Sequence, residues 1–152
     1  MTENYFKIGS YDTKVLDDGQ YTWKSPSNIA LIKYWGKREP QIPKNASISF
    51  TLKNCYTITT LEYKRKKIPS RKYSLKVLFD GKEEKGFEPK IEQFFERIVE
   101  YVPFISDYDF TIKTENSFPH SSGIASSASG MSALALCLMS MEEMLIPSIL
   151  YI

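Results

Sequence analysis

An α+β domain is predicted by three features of the chain. Alternating and β-branched segments recur between Tyr21 and Phe79, one amphipathic helical period lies between Pro89 and Val102, and a strongly apolar stretch runs from Gly130 to Met141. The order is strands, helix, strand, loop, helix, and no internal repeat is present. A length of 152 residues suits one domain with a sizeable core and is short for two.

Each element has its own signal. Asn28-Ile-Ala-Leu-Ile32 is a short apolar run of the kind that forms a buried strand, Ser47 to Leu52 alternates polar and apolar, and Cys55 to Leu61 is rich in β-branched residues. Pro40 and Pro43 punctuate the gap after the first of these. Lys64-Arg-Lys-Lys67, with Pro69, Ser70, Arg71 and Lys72, reads as a solvated loop. Ser74 to Phe79 alternates again, and Asp80-Gly81 is a hairpin signal, so these pieces together predict an antiparallel sheet. Ile91, Phe94, Phe95, Ile98, Val99 and Val102 then recur at helical spacing, with Pro89 suited to the first turn and Pro103 ending the helix. Tyr108 to Ile112 predicts one more strand. The Gly130–Met141 stretch is apolar on nearly every side, which predicts a helix buried within the domain.

Composition narrows the function. Residues 1–102 hold 19 basic and 13 acidic groups, and residues 103–152 hold 1 and 5, for a net charge of +2. A nucleic-acid binder would carry a dominant basic excess and a recognisable module, and neither is present. One histidine and two distant cysteines, Cys55 and Cys137, cannot assemble a Cys/His zinc site, and they read as reduced thiols of a cytoplasmic protein. The amino terminus lacks a secretory pattern, and the apolar stretch is shorter than the roughly 20 residues a bilayer span needs.

Two segments carry chemistry. Phe118-Pro-His-Ser-Ser-Gly-Ile-Ala-Ser-Ser-Ala-Ser-Gly130 stands between a strand candidate and a buried helix candidate, which excludes a flexible linker. Free amides and the positive dipole end of a helix start attract anions, Ser126, Ser127 and Ser129 add hydroxyl donors, and Gly123 permits close approach. The Walker lysine is absent. From these residues alone, a phosphate cradle and simple serine capping explain the segment equally well. The second segment, Lys33-Tyr-Trp-Gly-Lys-Arg38, concentrates two aromatics and three cations, and core packing is the ordinary reading of Tyr34 and Trp35. His120 lacks an identifiable nucleophile or orienting carboxylate and reads as a packing or capping residue. Asp107, Asp109 and Glu115 read as surface carboxylates.

Pro119 to Ser129 resembles the phosphate-binding motif of the GHMP kinase superfamily. Ser25-Pro-Ser-Asn-Ile-Ala-Leu-Ile-Lys-Tyr-Trp-Gly-Lys-Arg38, followed by Asn45-Ala-Ser-Ile-Ser49, closely resembles the amino-terminal signature of the diphosphomevalonate decarboxylase family within it. The resemblance covers about Ser25 to Glu143. It implies a GHMP kinase amino-terminal domain over residues 1–152, a mixed sheet packed on helices with a left-handed βαβ crossover. It further implies ATP-dependent decarboxylation of mevalonate 5-diphosphate to isopentenyl diphosphate, ADP, phosphate and carbon dioxide, with ATP and Mg2+ as cofactors.

Residue by residue, the resemblance places Tyr34 and Lys37 on the substrate's diphosphate, with Lys33 and Ser47 beside them. It sets Asn28 at the reacting end, and Ser122, Gly123, Ala125, Ser126, Ser127 and Ser129 along the nucleotide. Side-by-side polyphosphates require cations and aligned donors, which are the residue types found. The relatives' catalytic aspartate and arginine have no counterpart in this chain, so an incomplete form without a carboxy-terminal domain is expected. The alternatives are a non-catalytic nucleotide-binding fragment, or a related enzyme acting on mevalonate or mevalonate 5-phosphate. The apolar ending Leu145 to Ile152 invites self-association, which would make a homodimer.

Overall fold

The computed structural model describes residues 16–39, 42–68 and 74–145. Among the described residues seven strands and two α-helices follow one another as β1 (Asp18–Ile32), β2 (Lys37–Arg38), β3 (Ile42–Pro43), β4 (Ile48–Arg65), β5 (Ser74–Phe79), β6 (Lys82–Glu83), α1 (Glu88–Ile98), β7 (Tyr108–Asn116) and α2 (Ser126–Leu145). The main sheet has the order β1-β4-β7-β5-β6, and β2 and β3 form a separate hairpin.

The main sheet is mixed, as the family resemblance implies, and not antiparallel throughout as the local patterns predict. β1, β4 and β7 are antiparallel, but β5 and β7 run parallel, and α1 lies in the connection between them. A parallel pair needs a crossover, so this is the βαβ unit of the domain. The two strand candidates at 47–52 and 55–61 are halves of one 18-residue strand. Asp80 and Gly81 both have positive φ, 48° and 77°, as the two-residue hairpin between β5 and β6 requires. α1 stops at Ile98, earlier than the apolar period, and Val99 and Val102 continue in a turn that still packs on the core.

One face of the sheet is buried under both helices. Alternation puts Thr57, Thr59, Leu61 and Tyr63 of β4 on that face, opposite Asn116, Thr114, Ile112 and Phe110 of β7. Leu61, Ile112, Phe110 and Val77 meet Ile91 and Phe95 of α1 and Leu134, Leu138 and Met141 of α2 in one core. The opposite face is polar, with Thr22 bonded to Thr60 at 2.8 Å and Lys113 paired with Glu62. Burial of α2 is one-sided. Cys137 and Met141 are fully enclosed, whereas Met139 and Met144 on the outer side are about half exposed.

The Asn28–Ile32 strand is not buried. Beyond Pro26 its partner is residues 48–52 of β4, outside the stretch of β4 that pairs with β7, and the two form a ribbon projecting past the core. Leu31 is 71% exposed, and Ile32, Ile48 and Phe50 are each 54% exposed. Apolar content at this end signals a strand, but it does not signal cover.

Candidate functional site

Along the buried face the core changes character. Leu61 and Ile112 give way to Thr59 and Thr114, and these to Thr57 and Asn116, so the sheet ends in hydroxyl and amide groups. At that end lies a cavity of about 430 Å³ between β4, β5, β7, the start of α1 and the first turns of α2. Its floor is the Thr57–Thr59–Thr114–Asn116 group, its apolar wall is Val77, Ile91, Ile112, Met131 and Leu134, and its rim is the serine-rich loop.

The loop delivers the predicted residues selectively. Gly123, Ala125, Ser126 and Ser127 line the cavity, with Ser126 and Ser127 in the first turn of α2. Ser122 is exposed on the loop and does not line it. Ser129 is 2% exposed and faces the sheet, its hydroxyl 2.6 Å from that of Thr57 and 3.1 Å from the Ser126 carbonyl. Those bonds occupy the Ser129 hydroxyl in joining helix to sheet. His120 has its ring 5.0 Å from that of Phe79 and 5.6 Å from that of Phe87, so it packs, as expected, at the cavity's aromatic edge.

The lining suits an anion. It contains no aspartate or glutamate, one cation in Lys90, and the hydroxyls and first-turn amides of α2. Asn116 adds an orphan donor. Its Oδ1 accepts from Thr57 at 2.8 Å, while its Nδ2 is buried on the floor of the same cavity with no hydrogen-bond partner among the described residues. No group of three or more histidine, cysteine, aspartate or glutamate side chains placed to hold a metal ion occurs among the described residues.

The second set of predicted residues stands apart from this cavity, on the ribbon and the adjoining hairpin. Asn28 donates to the Ser49 hydroxyl at 2.7 Å and accepts from that of Thr51 at 3.4 Å. Ser47 donates to the Ile32 carbonyl at 2.7 Å, which closes the end of the ribbon. Tyr34 and Trp35 are not core residues, being 40% and 93% exposed. The Lys37 ammonium lies 5.5 Å from the centre of the Tyr34 ring. Asn45 organises the segment: its Oδ1 accepts the Trp35 amide, and its Nδ2 donates to the carbonyls of Lys33 and Ala46. The Lys33 side chain itself is exposed.

Four residues that sequence reasoning did not assign are central here. Asn45 stood in the quoted signature, and only its bonds to residues 33 and 35 reveal its task. Lys90 lies in the first turn of α1 and lines the cavity beside the buried Ile91. Thr57 and Asn116 are separated by 59 positions and meet only through strand pairing.

Comparison with known proteins agrees with this geometry. The model of the diphosphomevalonate decarboxylase-like N-terminal domain family matches residues 25–148. Diphosphomevalonate decarboxylase of Bos taurus is 32% identical over 133 residues, covering 77% of this chain and 32% of its own length. The crystal structure of mevalonate diphosphate decarboxylase from Staphylococcus aureus superposes with a TM-score of 0.64 at 32% identity, covering 82% of this chain and 38% of that one. A structure of MDDEF in complex with MVAPP, AMPPCP and magnesium has a TM-score of 0.60 at 29% identity, covering 80% of this chain and 38% of that one. The chain spans about a third of the length of the curated relatives it matches. With a family model over most of its length and the matching mixed-sheet architecture, the chain belongs to the diphosphomevalonate decarboxylase-like N-terminal domain family.

Proposed function

We propose that residues 1–152 form the ATP-binding, substrate-holding part of an enzyme that decarboxylates mevalonate 5-diphosphate to isopentenyl diphosphate with consumption of ATP. The observation that supports this best is the serine loop. It starts a 20-residue helix whose first turn opens on a cavity that lacks carboxylates and carries an unpartnered donor. A capping role alone would account for the serines but not for that cavity.

In this reading Ser126 and Ser127 and the amides beside them hold the nucleotide's phosphates, while Lys90 offsets their charge. Tyr34 and Lys37 hold the substrate's diphosphate, with Lys33 and Ser47 beside them, and Asn28 lies toward the reacting carbon. The nucleotide with Mg2+ supplies the phosphoryl group that turns a tertiary hydroxyl into a leaving group, and its departure with carbon dioxide leaves the alkene. This chain's residues bind, align and neutralise, and preorganised donors of this kind provide most of the catalysis in phosphoryl transfer.

Calorimetric titration of the chain with Mg-ATP, beside the Ser126→Ala/Ser127→Ala double variant, tests the proposal. The variant should bind at least about tenfold more weakly, the worth of charge-assisted bonds to phosphate. Equal affinity of the two proteins would remove the serine loop from nucleotide binding. ADP release in the presence of mevalonate 5-diphosphate then decides whether the chain by itself completes the reaction.

A further inference from the structure

Ser27 is fully buried in β1, and its hydroxyl donates to the carbonyl of Ile124 in the serine loop, 97 residues away. The β1–β4 register shifts between Pro26 and Ser27. Such an irregularity re-aims the side chains that follow it. Ile124 lies within a strained stretch of backbone. Ser121, Gly123 and Ala125 all have positive φ, at 62°, 78° and 48°, and two of the three are not glycine. Side chains other than glycine hold that conformation only where the surroundings over-determine it.

Two buried hydroxyls supply that constraint on either side of Ala125. Ser27 ties down the carbonyl at 124, and Ser129, its hydroxyl 2.6 Å from that of Thr57, holds the first turn of α2 on the sheet. The Ala125 carbonyl between them accepts from the amides of Ala128 and Ser129, at 3.1 and 3.4 Å, and so begins α2. Ser27 is also the first residue of the ribbon that carries the second cluster, and Asn28 follows it directly.

We propose that Ser27 is a positioning residue that locks the strained loop to β1, and thereby sets the nucleotide-binding backbone relative to the substrate-holding ribbon. The ligand part of this assignment rests on the function proposed above, whereas the loop part does not. Removing the hydroxyl leaves a carbonyl without its partner and frees the loop from one of its two anchors.

The test uses the whole chain with Ser27→Ala and, as the conservative rescue, Ser27→Thr. Amide exchange followed by NMR should be about tenfold faster at Ala128 and Ser129 in Ser27→Ala, the order expected for one lost buried hydrogen bond, and unchanged at Cys137 in the middle of α2. Affinity for Mg-ATP should fall by about the same factor, while affinity for mevalonate 5-diphosphate, the ligand proposed for Tyr34 and Lys37, should stay within about twofold. Ser27→Thr should restore both.

Unchanged exchange, parallel loss of both affinities, or no rescue by threonine would overturn the assignment. If the unaltered chain binds no ATP, the proposed function fails on its own, and the exchange rates still decide the role of Ser27. Should Ser27→Ala not fold, Ser27→Cys fills the same space with a much weaker donor and must show the same selective losses.

Discussion

The side chain of Asn45 accepts the backbone amide of Trp35 at 3.0 Å, joining the bend between β3 and β4 to a tight segment ten residues earlier. Because the same side chain donates to the carbonyls of Lys33 and Ala46, one amide group fixes the backbone around Tyr34. Asn45→Ala should therefore weaken pyrophosphate binding about tenfold. It should shift global stability by less than about 1 kcal/mol, since these bonds are exposed and water can replace them. Titration with pyrophosphate, together with a urea melt, checks both parts.

Thr57 has the opposite profile. It is 1% exposed and bonded to both Asn116 and Ser129, and the amide nitrogen of Asn116 already lacks a partner. Thr57→Val keeps the shape, removes the hydroxyl and leaves the Asn116 side chain without its remaining bond. A loss of about 1–3 kcal/mol is expected from equilibrium unfolding in urea.

Glycines separate by backbone conformation. Gly81 has φ of 77° with open space around its Cβ direction, so Gly81→Ala should cost about 1 kcal/mol through strain alone. Gly130 is in α2, and an added Cβ would meet Thr57 Cγ2 at an ordinary 3.8 Å. Gly130→Ala should stabilise the chain by about 0.5–1 kcal/mol by favouring the helix. Paired thermal melts of the two variants should move in opposite directions.

Burial pushes the Cys137 thiol up from 9.0 to about 11, and burial with the neighbouring Tyr21 hydroxyl pushes Tyr63 from 10.0 to about 12. Both groups are neutral when protonated, and the folded state keeps those protons to higher pH than the unfolded chain does. Their stabilising contribution is therefore complete below pH 9 and is lost as pH rises through 11 and 12. Chemical denaturation across this range should show stability falling with pH. Cys137→Ala should flatten the fall between pH 9 and 11 and leave the part due to Tyr63.

The helices and most strands were legible because their signals are local. The alternation of Thr57, Thr59, Leu61 and Tyr63, the helical period from Ile91, and Asp80-Gly81 each fix a conformation through neighbouring residues. The parallel pairing of β5 with β7 was not legible, since no periodic signal states which strand lies beside which. The ribbon was misjudged for a related reason. Ile29, Leu31 and Ile32 look like core residues, but whether a strand is covered depends on what else packs there.

Site chemistry divides along the same line. The residue types of the loop, with Ser126 and Ser127 at a helix start, were readable, as was their resemblance to a known signature. The absence of a secretory pattern at the amino terminus, the roles of Pro40, Pro69, Ser70, Arg71 and Lys72, and the apolar ending past Leu145 concern residues outside those described. What the sequence by itself determined was the α+β class, the order of the main elements and the donors available to an anion. Only the tertiary structure decided that Ser129 serves Thr57 and not the cavity, that Tyr34 and Trp35 face outward, and that Ser27 reaches Ile124. Those outcomes depend on contacts between residues 10 to 100 positions apart, which strand register and helix placement create together.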